Sequence, residues 1–355
     1  DQLAESTETL VRFLDNVVTW NEDLNALEKQ RIAAAETRRL GLGVMGIADM
    51  LNQLGVAYDS EQGLMMIEKV MEYITNAAYQ ASSFIAKEKS PSPIFDEKAY
   101  MKCPFIKEAL SEQTQNAIRK NGLRNIAIMS IAPTGSISNI VLGYKGEEKN
   151  YIGVSGGVEP VFSVFYTRRS ESFGNKFFKV FHSTIQAYID MVGLQEQVDA
   201  TDDIDSVLPE YLTRTAHKID SIKRVNIQGV IQRYVDHSIS STINLPEDVN
   251  PETISDIYIK AWKNNLKGIT IYRDGSRFPI LSTEKKKTKY QELKNKTYSV
   301  LQENGETIEI LGDDIFKLPD GKLTTMYHHL KGMESQEDIK QDTINEPKLT
   351  EEIDA

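Results

Sequence analysis

One cysteine, Cys103, stands in the whole chain of 355 residues. A lone thiol excludes an internal disulfide and any cysteine-rich metal site, and a reducing cytoplasm is the expected compartment. Positive charge is also short, with 41 Lys and Arg against 52 Asp and Glu and a formal net charge of −11. That balance argues against a nucleic-acid backbone or an anionic membrane as the main partner. No apolar run approaches the roughly 18 residues needed to span a bilayer, and the first residues carry no signal-peptide pattern. No internal repeat is found. His328 and His329 are adjacent and solitary, without the nearby cysteines or spaced carboxylates that a metal site needs. The chain begins at Asp1 in polar sequence that leads into a helix, which reads as an interior position of something longer.

What remains is the balance of a soluble globular protein, 40% hydrophobic and 26% charged, long enough for one large or two ordinary domains. "STETLVRFLDNVVTW" places Leu10, Phe13, Leu14, Val17 and Val18 on one helical face. "GLMMIEKVMEYITNAAYQASSFIAKEK" is a second long helix broken by "SPSP", and "CPFIKEALSEQTQNAIRKNG" a third, stopped at Gly122. "NIAIMSI" and "VEPVFSVFYTRRS" read as strands, "NKFFKVFHSTIQAYIDMVG" as helix. "SIKRVNIQGVIQRYVDHSIS" and "PETISDIYIKAWKNNLKG" are helical, and "STINLP" and "ITIYRDGSR" short strands. Helices alternating with short apolar strands indicate an α/β fold with parallel strands. After Phe278 the texture changes. We expect a charged linker over residues 283–297, a small segment over 298–332 with a hairpin at "LPDGK", and a disordered acidic tail over 333–355.

"RRLGLGVMGIADML" spaces Gly41, Gly43 and Gly46 as G-x-G-x-x-G, and Asp59 follows at a tolerable distance for a ribose-binding acid. The dinucleotide fingerprint needs a strand before it and a helix after it. "IADMLNQLG" supplies the helix, but "NALEKQRIAAAETRRL" is Ala-, Glu- and Arg-rich and reads as helix. A nicotinamide oxidoreductase therefore rests on three glycines alone.

"NIAIMSIAPTGSISNIVLG", residues 125–143, is more informative. A buried strand ends at Ala132-Pro133, then Thr134, Gly135 and Ser136 form a tight turn, and a helix can start at Ile137. Free backbone N–H groups at such a start bind phosphate without a lysine. An ordinary N-capped helix after a strand gives the same pattern, so composition alone leaves both readings open.

"TRRLGLGVMGIADML", "SIAPTGSIS", "SGGVEPVFSVFYTRR" and "STINLPEDVNPETISDIYIKAWKNNLKGITIYRDGSR", four motifs in order, resemble the catalytic chain of ribonucleotide reductases from about Leu10 to Arg277. The resemblance implies the second half of a ten-stranded α/β barrel, with the glycines of residues 41–46 at a helix start rather than a dinucleotide loop. It also implies that Pro133, Thr134, Gly135, Ser136 and Ile137 form the loop whose amides grip the substrate's diphosphate. Glu159 and Pro160 fall near the family's substrate pocket. Glu159 can be read as a catalytic carboxylate, but a single acid without a placed partner reads more simply as structural. Tyr166, Arg168 and Arg169 match the family's "YTRR", where strand packing and solvated arginines explain them equally.

The family removes the ribose 2′-hydroxyl with a cysteine radical on an N-x-C-x-E loop and draws electrons from a cysteine pair. Neither occurs here. Cys103, in "YMKCPFIKE", matches none of them and is expected to be a small buried or partly exposed residue. The expectation is a split enzyme, or a fragment cleaved from one, inactive alone, that pairs with a complementary N-terminal half through uncovered apolar faces and edges. Its partners would be a ribonucleotide, that half, and a thioredoxin- or glutaredoxin-like dithiol reductant. The metal-dependent class has two adjacent tyrosines near the end of the barrel. Here Ile271 precedes Tyr272, so "YRDGSR" resembles the adenosylcobalamin-dependent class, with Tyr272 a pocket-lining candidate. "GYKGEEKNYIGVSGG" is longer and more charged than the family's usual link. A degenerate module that keeps only a nucleotide-phosphate site is the alternative.

Overall fold

The computed structural model describes residues 2–170, 176–276, 289–301, 305, 307–318 and 320–337. Two compact units divide the chain. The first is Asp1–Ile243 with Lys260–Thr270, and the second Asn244–Ile259 with Ile271–Ala355.

The first unit opens with α1 (Gln2–Trp20), which packs on the long α4 (Glu61–Lys89). The apolar face expected of α1 is divided. Val11 is fully buried and Leu14 and Val18 pack partly against the core, whereas Leu10, Phe13 and Val17 are 47%, 60% and 38% exposed. The cause is polar. Asp15 turns inward to meet Arg38, and that pair sets which side of the helix faces α4. Arg38 itself caps α2 (Glu28–Thr37) in the left-handed region at φ 46°.

α3 (Ile47–Gln53) follows the glycine run, and the side chain of Ser60 caps α4 by accepting from the Gly63 amide. After α5 (Glu97–Tyr100), the single helix expected over residues 104–121 is two, α6 (Pro104–Ala109) and α7 (Glu112–Asn121). The break lies at Leu110, which is extended, and Ser111, whose hydroxyl caps the Thr114 amide. A good N-cap starts a new helix where periodicity alone would run on. Cys103 is exposed, just before Pro104 of α6.

β1 (Leu142–Lys145) and β2 (Asn150–Ile152) pair antiparallel, as do β3 (Phe165–Ser170) and β4 (Lys176–Phe181). β4 corrects the sequence reading, which made residues 175–193 wholly helical. Residues 176–181 find hydrogen-bond partners across β3, and the helix, α8 (Ser183–Val192), starts only after His182. α9 (Gln195–Ala200), α10 (Glu210–Thr213) and α11 (Ser221–Gln232) complete the helices before β5 (Thr242–Leu245), α12 (Pro251–Lys263) and β6 (Thr270–Arg273).

At the centre of the first unit, three extended stretches lie side by side and parallel, with bridges Leu42–Met129 and Ile131–Ile239. Leu42 donates to the Ile128 carbonyl at 2.9 Å, and Ser240 to that of Ile131 at 2.8 Å. The buried strand expected over residues 126–131 is thus present as an extended stave bonded on both sides. The stave at residues 40–42 was not expected, because its sequence reads as a continuation of α2. Arg38 ends that helix and frees the chain to extend. Asp236 fastens the middle stave, accepting the amides of Ile128 and Met129 at 2.8 and 2.9 Å. Ile128, Met129 and Ile131 are buried beside Leu51, Ile67 and Met71, each such side chain contributing roughly 1.5–3 kcal/mol.

In the second unit, α13 (Lys289–Leu293) precedes the antiparallel pair β7 (Thr297–Leu301) and β8 (Thr307–Leu311). β9 (Ile315–Lys317) and β10 (Leu323–Thr325) form the hairpin expected at "LPDGK", and α14 (Met326–Glu337) follows. Arg273 donates to Asp313 at 2.9 Å, and Tyr290 meets Tyr327 edge to face at 4.8 Å. Residues 283–288 of the expected linker and 338–355 of the expected tail lie outside the described residues.

Candidate functional site

The middle stave delivers the chain to residues 132–136 at its carboxyl end, the place where parallel α/β folds put their ligand loops. Thr134 takes a positive φ of 53°, uncommon for a side chain with a branched Cβ. No long helix follows. The helix expected from Ile137 is a single 3-10 turn, Ile137–Ile140, before β1, so a helix dipole adds little. The loop's resource is its backbone. Pro133, Gly135, Ser136 and Ile137 are exposed. Among the described residues the amides of Gly135, Ser136 and Ile137 donate no hydrogen bond. Consecutive N–H groups in a turn conformation are the kind of donors that an anion can use.

A second stretch, residues 154–159, buttresses this loop. Val154 donates to the Ser138 carbonyl at 2.9 Å and Gly157 to the Thr134 hydroxyl at 2.8 Å. A Cβ on Gly156 would stand 2.5 Å from the Pro133 carbonyl oxygen, so only glycine permits this approach. The same reason explains Gly43, where a Cβ would lie 2.4 Å from the Ser130 carbonyl as the first two staves close on each other.

Glu159 is engaged on both oxygens. One accepts from Arg224 at 2.5 Å and the other from the Thr242 amide at 2.8 Å. Arg224 is 4% exposed, also donates to Ser241 at 2.9 Å, and lies over the Tyr58 ring at 5.6 Å. Its Nε and Nη1 have no partner among the described residues. Tyr58 donates to the Val158 carbonyl at 2.5 Å, and burial pushes its phenol up to about 12 despite the nearby Arg224 charge. Pro160 is buried next to Glu159, Tyr166 and Arg168 are exposed on β3, and Tyr272 is half-buried on β6 in the second unit.

The sequence reading missed Asp49 and His182. Asp49, 1% exposed in the first turn of α3, accepts from the Ser155 amide at 2.6 Å and the Thr184 hydroxyl at 2.7 Å. His182 Nε2 lies 2.6 Å from its Oδ1. Burial alone would raise the carboxyl, but these bonds, His182 foremost, hold it below the usual carboxylate range. A lone acid after a glycine turn and a lone histidine between two apolar runs carry no spacing that links them across more than a hundred residues.

The family model for the ribonucleotide reductase barrel domain matches residues 1–272. The chain belongs to the ribonucleotide reductase barrel family. It is 31% identical over 291 residues to a vitamin B12-dependent ribonucleoside-diphosphate reductase of Mycobacterium tuberculosis, covering 78% of this chain and 37% of that one. With a protein of the same description from Thermoplasma acidophilum it shares 33% over 285 residues, covering 78% of this chain and 33% of the relative. The class Id ribonucleotide reductase alpha subunit of Actinobacillus ureae superposes with a TM-score of 0.56 at 20% identity, covering 76% of this chain and 46% of that one, which supports the fold. The reductase segment here thus spans about a third of the length of the curated relatives it matches.

Proposed function

We propose that this chain supplies the diphosphate cradle of a ribonucleotide reductase, which reduces ribonucleoside diphosphates to deoxyribonucleotides by radical chemistry. The observation that carries the reading is the run of free amides at Gly135, Ser136 and Ile137 in an exposed loop, at the position where the sequence resembles the family's phosphate grip. Pro133 and Thr134 complete the loop, and Glu159 and Pro160 brace the stretch behind it. The radical cysteine on N-x-C-x-E and the electron-donating cysteine pair are supplied by a complementary N-terminal half, which completes the ten-stranded barrel. A thioredoxin- or glutaredoxin-like dithiol re-reduces it, in a reducing cytoplasm. On this reading the barrel part extends to residue 282, ahead of the linker, hairpin segment and tail.

The partner half is supported by α1, whose outer side shows Leu3, Leu10, Phe13, Val17 and Trp20 at 41%, 47%, 60%, 38% and 75% exposure. They recur at spacings of three, four and seven residues, a stripe that fits a facing helix. Adenosylcobalamin is the proposed radical source, supported by the likeness to two vitamin B12-dependent relatives and by Ile271 ahead of Tyr272. Among the described residues no group of three His, Cys, Asp or Glu is placed to hold a metal ion. On this reading the complementary half binds the cobalamin.

The test mixes this chain with a candidate N-terminal half, a ribonucleoside diphosphate and a dithiol, with and without adenosylcobalamin. Deoxynucleotide formed only by the mixture, and only with cobalamin, is the expected result. No product and no association between the halves would leave a phosphate-binding remnant as the better account.

A further inference from the structure

We propose that Asp49 is a positioning residue for the anion loop, a carboxylate that never meets the ligand yet holds the stretch that shapes its seat. The inference rests on the reading of residues 133–137 as a diphosphate cradle.

Burying an aspartate costs several kcal/mol unless its oxygens are filled, and here three donors fill them. One of the three is backbone. The Ser155 amide donates to Asp49 Oδ2 at 2.6 Å, while the Ser155 carbonyl accepts from the Gly46 amide at 2.9 Å. Both polar groups of one peptide residue are thereby tied to the start of α3, by bonds that run in opposite directions. Gly46 can offer its N–H there because it sits in the left-handed region at φ 75°.

On either side of Ser155 the same stretch grips the anion loop, through Val154 to the Ser138 carbonyl and Gly157 to the Thr134 hydroxyl. Ser155 cannot shift without pulling on both. The other two donors, the Thr184 hydroxyl and His182 Nε2, come from the start of α8 and hold the carboxylate in place. His182 is itself fixed, since its amide donates to the Val164 carbonyl at 2.9 Å. Hydrogen bonds therefore link His182 to Asp49, Asp49 to Ser155 and, two residues along the chain, Gly157 to Thr134, which has a positive φ.

The test uses the full chain, inorganic pyrophosphate as the probe, and amide hydrogen exchange read by segment. Asp49→Asn keeps the size but replaces one accepting oxygen with an NH2 group, so Ser155 or the Thr184–His182 pair loses its partner. We expect pyrophosphate binding to weaken about tenfold or more, and exchange to quicken in residues 134–138 and 154–157 while the core of α4 is unchanged. His182→Ala should weaken binding in part, and His182→Gln, which can restore a donor to Oδ1, should recover most of it. A global structural role would instead speed exchange in α4 equally and show no rescue, and that outcome overturns the proposal. Binding by the unmodified chain that Asp49→Asn leaves within about twofold also overturns it, while sparing the cradle. If the unmodified chain does not bind pyrophosphate, the cradle reading fails and takes this proposal with it.

Discussion

The hydroxyl of Thr134 accepts the amide proton of Gly157 at 2.8 Å, joining two motifs that lie 23 residues apart in the chain. Gly157 is buried, so its N–H has no water to turn to if the hydroxyl is removed. Thr134→Val keeps the shape and deletes the acceptor. It should cost about 1–3 kcal/mol, the penalty of an unsatisfied buried donor, read as a lower urea midpoint. Pyrophosphate binding should fall with it. A variant as stable as the parent would show that the two stretches are held together by other means.

Asp15 and Arg38 form the most buried ion pair among the described residues of the first unit, with side chains 0% and 3% exposed and an N–O distance of 2.9 Å. Arg38 also donates to the Asp15 carbonyl, the Thr19 hydroxyl and Glu22, and Asn125 adds a bond to Asp15. Asp15→Ala strands a buried guanidinium. The expected destabilisation is about 3–5 kcal/mol, measured by equilibrium denaturation. A loss below about 1 kcal/mol would mean that Glu22 and Asn125 suffice.

Stability should fall at acid pH in a manner that depends on Asp49. Its carboxyl is held below the ordinary range in the folded state by His182, Ser155 and Thr184, against the opposing effect of burial. A folded-state pKa below the unfolded one stabilises the protein above the unfolded value of about 3.9, and that stabilisation is lost as pH falls through the folded value. Asp59, also lowered against its burial by Arg214, adds to the same limb. Urea midpoints taken between about pH 2 and pH 6 should therefore drop more steeply for the parent than for Asp49→Asn. Parallel curves would count against the assignment.

Phe13, 60% exposed on α1, makes a clean probe of the proposed partner face. Phe13→Asp should change the stability of the isolated chain by no more than about 0.5 kcal/mol, yet abolish co-elution with the complementary half. Undiminished co-elution would place the partner on another surface.

Much of the local structure of the candidate loop was legible in its own residues. "SIAPTGSIS" contains a stave, a proline that ends it and small turn residues, and each acts through its own backbone preferences. "SGGVEP" was legible only as a motif, and the close approach of Gly156 to Pro133 emerged from the fold. Asp49, His182 and Arg224 were illegible for one reason. Each is defined by a partner more than 60 residues away, and a single polar side chain within an amphipathic pattern looks the same whether it faces solvent or a buried acceptor.

The sequence by itself determined most helices, the α/β character, the hairpin at "LPDGK" and the family, because capping, periodicity and short motifs act over a few neighbouring residues. Tertiary structure alone decided that residues 40–42 extend, that residues 176–181 form a strand, and that α1 turns Asp15 inward and leaves Phe13 outside. In each case hydrogen bonds or an ion pair to another segment outweighed a local preference worth well under 1 kcal/mol per residue.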